Sequence, residues 1–194
     1  MLTAAVAYPS TELARFGREL QAVRREAAEL LDGLSDAQLG WNPEPGRWSV
    51  GENVAHLRTL NERYLQAIDS GIAAARARGH TGFGAYRPGI VGGFMVRFME
   101  PPIKRRVKTP SVFVPEETRD WAAERAGYEA THQGIEERLH AAGGIDLNRA
   151  RVVSPATKLL RLKLGDAFAL LMAHERRHLW QIRQLRADPG FPPA

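Results

Sequence analysis

The chain is expected to fold as an all-α protein, a four-helix bundle with a long loop between its second and third helices. Three observations carry this expectation. Apolar residues recur at spacings of three and four in four segments of roughly 20 to 30 residues, the period of a helix with one buried face. No segment shows the sustained alternation or β-branched density of a sheet. The 194 residues, 44% hydrophobic and 25% charged, suit a single domain over 1–194 of ordinary globular composition.

The first helix is placed from Ser10 to Leu34, where Leu13, Phe16, Leu20, Val23, Ala27 and Leu31 form a stripe and Ser10 or Thr11 can cap it. Gly33 and Ser35-Asp36 break the pattern, and the prolines and glycine of Trp41 to Trp48 argue against regular structure. Ser49-Val50-Gly51-Glu52 is a capping box, the serine hydroxyl accepting from the Glu52 amide and the Glu52 carboxylate reaching back to that of Ser49. From it a stripe through Val54, Leu57, Leu60, Tyr64 and Ile68 runs to about Arg78.

The segment 79–115 is rich in glycine and proline, with room for one short helix near Gly93 to Met99. Loops of this length in a compact domain are commonly functional. Its apolar residues Phe83, Tyr86, Phe94, Met95 and Phe98 suit packing over something, either as a lid or as an insertion closing one end of the core. The third helix is placed from Thr118 to Ala142, with His132 and His140 on a mostly polar side and read as surface residues, as is His80 in the loop. Gly144 to Lys163 reads as a linker with a turn at Ser154-Pro155. The fourth helix runs from Leu164 to Ala187, and Asp188-Pro189-Gly190 ends it.

Composition narrows the chemistry. There is no cysteine, so no disulfide, thiolate ligand or protein thiol nucleophile is available, and a metal must be held by His, Asp or Glu. The longest strongly apolar run, Phe168 to Ala173, is far too short to span a bilayer. Met1 to Ser10 lacks the marks of a signal peptide. A cytoplasmic protein without a membrane partner is the expectation. The net charge of +5 is modest, and its densest cluster, Lys104, Arg105, Arg106 and Lys108, is weak evidence for nucleic acid in the absence of a recognisable binding module.

Among six histidines, His174 and His178 lie four apart on the last helix, so both rings share one face with Leu171 before them and Gln181 after. Two imidazoles so placed can bind one first-row metal ion. The spacing alone fits two surface histidines equally well. His56 sits in the apolar stripe of the second helix, where a buried ring needs a partner. If the second and fourth helices are neighbours, the three rings can converge and leave open positions for water or substrate. His174-Glu175-Arg176-Arg177-His178 also matches the H-E-x-x-H pattern of zinc proteases. That reading fails for want of a downstream third ligand, since only Asp188 is acidic after His178. Glu175 turns about 100° from its neighbours and points off the ligand face, so it is not assigned as a base. Glu52, one turn before His56, could approach a metal, although capping is its simpler role.

Two stretches resemble the DinB-like family of metal-binding helical bundles. Gly46-Arg47-Trp48-Ser49-Val50-Gly51-Glu52-Asn53-Val54-Ala55-His56-Leu57 is similar to that family's approach to its first metal histidine. Leu164-Gly165-Asp166 through Ala173-His174 to His178-Leu179-Trp180-Gln181-Ile182 is similar to its last-helix H-x-x-x-H. The resemblance implies a four-helix bundle, a zinc or nickel ion held by His56, His174 and His178, and a homodimer. Gln181 and Glu52 are candidates to stand around the ligands. It further implies a metal-dependent enzyme for a small-molecule substrate, either a hydrolase or a transferase using a low-molecular-weight thiol. A non-catalytic metal-binding dimer is the alternative, and nucleic-acid binding ranks last.

Overall fold

A computed structural model of the protein describes residues 8–82, 84–103, 108–115 and 120–193. Phe83, Lys104, Arg105, Arg106 and the expected helix start at Thr118 lie outside the described residues. The four expected helices are present as α1 (Thr11–Leu31), α3 (Val50–Ala77), α5 (Trp121–Ala141) and α6 (Leu164–Arg186). Ser10 caps α1, and the Ser49 capping box opens α3, with the Glu52 carboxylate accepting from the Ser49 amide at 2.7 Å.

Side-chain pairings define the topology. α3 and α5 run parallel, joined by Arg58 to Glu124, Asn61 to Thr131 and Asp69 to Arg138. α1 and α6 are also parallel, joined by Glu19 to Arg176 and Glu26 to Arg183. α3 and α6 are antiparallel, with Asn53 meeting His178 and His56 meeting His174. Two consecutive long helices that pack side by side in the same direction require the chain to return the full length of the bundle between them. The long 79–115 connection supplies that crossover.

The connection carries more structure than expected. α4 spans Ile90–Met99, starting three residues before the expected Gly93, and a 3₁₀ turn follows at Ser111–Phe113. Asp166 anchors the start of α4, its Oδ1 accepting from the Gly89 amide at 3.0 Å and the Tyr86 hydroxyl at 2.6 Å. A Cβ at Gly92 would overlap the Asp166 carboxyl, so the glycine that weakened the helical pattern is what lets α4 dock on α6.

Two short elements escaped the sequence reading. Ser35-Asp36 begins α2 (Asp36–Gly40), a single turn closed by a Ser35–Gln38 capping box. The expected linker Gly144 to Lys163 contains an antiparallel hairpin, β1 (Arg151–Val153) with β2 (Arg161–Lys163), whose Val152 and Leu162 face inward. Three-residue strands are too short to show alternation.

The core divides into two apolar clusters. One gathers Phe16, Leu20, Ile68, Ile135, Leu164 and Phe168; the other Val23, Val54, Leu57, Tyr128, Leu179 and Ile182. Between them lies a buried polar layer, drawn from the first half of α3 and the middle of α5 and α6, that includes His56, Asn61, Thr131, His132, His174 and His178. Truncating Phe168 to Ala is expected to cost about 3–5 kcal/mol of stability, whereas Ser49→Ala, which removes only a cap, is expected to cost about 1 kcal/mol. Urea unfolding of the two variants checks the contrast.

Candidate metal centre

The structure brings the three sequence-selected histidines together. His56 comes from the second turn of α3, and His174 and His178 from the middle of α6; all three are buried. The ring centroids of His56 lie 5.1 Å from His174 and 4.7 Å from His178, and those of the α6 pair 4.5 Å apart. Their ligand nitrogens all lie within 4.8 Å of one another, and the Nε2 atoms of His56 and His174 are 3.3 Å apart. Two nitrogens bound at about 2.0–2.1 Å to one tetrahedral ion stand about 3.3 Å from each other. The donor set therefore fits a single small divalent ion.

Neighbouring groups fix the rings. His56 donates through Nδ1 to the Phe113 carbonyl at 2.7 Å, and His178 donates through Nδ1 to Asn53 Oδ1 at 2.7 Å. Each bond places the proton on Nδ1 and leaves the Nε2 lone pair free, the usual arrangement behind a ligating histidine. His174 Nδ1 is buried with no hydrogen-bond partner among the described residues. The Trp48 ring lies 4.7 Å from that of His56 and 6.0 Å from that of His178, covering the approach from the loop that precedes α3.

Burial lowers the pKa of His56 from its ordinary value, against a hydrogen bond to Phe113 and the Glu175 charge, which both raise it. It lowers those of His174 and His178 much further, helped by the neighbouring imidazoles and by Arg177. Neutral imidazole is the form that binds a metal.

Glu175 points away from the ligands, as its helical position requires. Its Oε2 accepts from the Tyr128 hydroxyl at 2.5 Å and its Oε1 from Asn61 Nδ2 at 2.7 Å. His132 Nε2 stands 3.5 Å from Glu175 Oε2. His132 is thus a buried member of this network and not the surface residue expected; its position on α5 faces α6, and the polar neighbours on that helix concealed the fact. His80 and His140 are half-buried, the latter stacked on Tyr8 at 4.8 Å.

The imidazoles open onto a cavity of ≈ 890 Å³. α4 and the 3₁₀ turn contribute Met95, Met99 and Phe113 to its wall, α3 contributes Leu60 and Tyr64, and the hairpin tip contributes Leu160. The crossover therefore packs over the site. Gln181 reaches the cavity one turn beyond His178, whereas Glu52 stays in the cap, bonded to the Ser49 amide and to Asn42 Nδ2, and does not line it. Arg47, Lys108 and Arg177 are the charged lining residues, and no Asp or Glu joins them among the described residues. Asn53, Trp48 and Arg177 were given no role from the sequence. Asn53, three residues before His56 and so on its helical face, carried a readable signal.

The fold and site define a class: a helical bundle whose buried middle layer presents three imidazoles to one cavity. Its family follows from comparison with known proteins. The DinB superfamily family model matches residues 19–182, from within α1 to within α6, and the chain belongs to that superfamily. No curated protein and no solved structure matches it.

The lowered histidine pKa values predict the pH response of the metal-free protein. An unfolded imidazole takes up a proton below about pH 6.5, which the folded one refuses until its own lower pKa is reached. Stability is therefore full above about pH 6.5 and falls as the pH drops below it, by up to roughly 1.4 kcal/mol per pH unit for each histidine kept neutral. Urea midpoints measured from about pH 7.5 to about pH 5 are expected to show this fall, and it should shrink in His174→Ala.

Proposed function

We propose that the protein is a metal-dependent enzyme acting on a small anionic molecule, with His56, His174 and His178 holding one zinc or nickel ion through Nε2. The supporting observation is the set of three buried imidazoles whose ring nitrogens converge beside a cavity large enough for a substrate. A bound ion of this kind acts as a Lewis acid and lowers the pKa of a coordinated water or thiol toward neutrality.

The chain's own residues prepare that chemistry. Asn53 and the Phe113 carbonyl hold the proton on Nδ1 of His178 and His56, so their Nε2 atoms are always available. Trp48, Leu60, Met95 and Met99 give apolar walls that exclude water from around the reacting groups. Arg47, Lys108 and Arg177 make the cavity electropositive, so a carboxylate- or phosphate-bearing substrate is drawn in and oriented. Arg177 is buried, donates to the Phe98 carbonyl at 3.3 Å and lines the same cavity as the three imidazoles, which brings its charge to the space a substrate would fill. Gln181 offers an amide to the bound substrate. Because the chain has no cysteine, a sulfur-transfer reaction takes its thiol from a low-molecular-weight donor. Hydrolysis is the other reaction that these residues would serve.

Metal analysis of untagged protein tests the first half of this reading. Wild type is expected to hold one equivalent of ion, His56→Ala and His174→Ala to hold none, and Asn53→Ala to bind about 10–100-fold more weakly. Retention of the ion by either histidine variant would remove that residue from the site. The second half is tested by screening fully loaded protein for conjugation of low-molecular-weight thiols and for hydrolysis of anionic amides and esters. Activity is expected to require the ion, and Arg177→Gln is expected to raise KM for anionic substrates. Absence of any turnover from loaded protein would leave a metal-binding module without catalysis.

A further inference from the structure

The described residues leave seven large apolar side chains exposed, and six of them fall on two adjoining elements: Ile90, Val91, Phe94 and Phe98 on α4, and Val153 and Leu159 on the β1–β2 hairpin. On α4 these four occupy one side of the helix, opposite Gly92, Val96 and Met99, which turn inward. Ile90 is 94% exposed, Phe94 61%, and Leu159, near the hairpin tip, 95%. Several large apolar side chains exposed on adjoining elements mark an interaction site more often than those scattered singly.

Charge identifies the partner. Residues 81–99 and 147–165 contain no Asp or Glu. They carry Arg87 and Arg97 on the first segment and Arg149, Arg151, Lys158, Arg161 and Lys163 on the second, while the carboxylates at their ends, Glu100, Asp146 and Asp166, are each engaged in hydrogen bonds. The register of the hairpin sets Arg151 opposite Lys163 and Val153 opposite Arg161, on the ribbon face opposite the buried Val152 and Leu162. The two segments are tied together by Lys163 Nζ to the Arg87 carbonyl at 2.8 Å and by the Arg87 amide to Asn148 Oδ1 at 2.8 Å. They also share the cavity, which Met95 and Met99 line from α4 and Ala156 and Leu160 from the hairpin.

We propose that this face docks on an anionic lipid surface, with Ile90, Phe94 and Leu159 entering the acyl boundary and the arginines and lysines meeting the headgroup phosphates. Exposed aliphatic and aromatic side chains among exposed arginines and lysines are the combination that an interfacial element uses. A second copy of the chain is a poor occupant, because a two-fold contact would set each cationic face against its equal. Nucleic acid would use the cations but give Ile90 and Leu159 nothing apolar to enter. The sequence-based expectation of no membrane partner rested on the lack of a long apolar run, and among the described residues no helix is long and apolar enough to cross a membrane. Surface docking needs no such run. The proposal does not depend on the metal reading.

Vesicle co-sedimentation of the full chain tests it, using phosphatidylcholine alone and equimolar phosphatidylcholine and phosphatidylglycerol. Wild type is expected to sediment with the anionic vesicles only and to be released by salt. Phe94→Asp combined with Leu159→Asp is expected to weaken binding at least about tenfold. Lys158→Ala and Arg161→Ala are each expected to weaken it about fivefold. These side chains are exposed, so unchanged urea midpoints and metal content should accompany the loss. Four results would overturn the proposal: wild type remaining in solution with both vesicles, binding indifferent to the double aspartate variant, tighter binding to duplex oligonucleotide than to vesicles, or a wild-type dimer that the double variant splits.

Discussion

Three imidazoles meet between α3 and α6 within a core that gathers apolar side chains on either side of them, and burial lowers the pKa of each. An imidazolium at that depth would be costly, and three would repel one another. Burial therefore selects the protonation state that can ligate, and hydrogen bonds from two Nδ1 atoms select the tautomer. The remainder of the polar layer follows from the same constraint. Asn61, Thr131, Tyr128 and Glu175 bond to one another, and the buried side-chain atoms left without a hydrogen bond among the described residues are Asn61 Oδ1, His132 Nε2 and His174 Nδ1.

The topology follows from placing those rings. Asn53 can meet His178 while His56 meets His174 because α3 and α6 run in opposite directions. With α5 parallel to α3, the chain must then cross the length of the bundle once. The crossover is used twice over: its Phe113 carbonyl holds His56, and its α4 supplies methionine walls to the cavity. Arg176 ties the arrangement together, binding Glu100 at the end of α4 and Glu19 on α1 at the same time. Loop, helix order and site are thus linked through the Phe113 carbonyl, α4 and Arg176.

The bundle and its three histidines could be read from sequence because both rest on periodic signals. The stripes of α1, α3 and α6 repeat over five or more turns, and a four-residue spacing translates directly into a shared helical face. What the sequence concealed depends on contacts between distant segments. The hairpin is too short to alternate. Gly92 reads as a helix breaker until Asp166 is seen to occupy its missing side chain's space. His132 sits between exposed Gln133 and buried Thr131, so local polarity said nothing about the face it shares with Glu175. Phe113 contributes a backbone oxygen, which no residue pattern encodes.

The string His174-Glu175-Arg176-Arg177-His178 shows how much of a motif's meaning lies in its neighbours. In a zinc protease the glutamate of the same pattern works on the metal-bound water. Here Asn61 and Tyr128 take both carboxylate oxygens on the far side of α6. A carboxylate committed to two short hydrogen bonds, and turned about 100° from each ligand, cannot reach a water in the cavity. It acts instead from behind, where its charge raises the pKa of His56 against the effect of burial. Arg177, the residue before His178, faces the cavity that Glu175 avoids. The helix thus turns the Glu175 carboxylate into the bundle and the Arg177 guanidinium toward the cavity, and that division of one five-residue string leaves the described cavity lining with basic residues and no carboxylate.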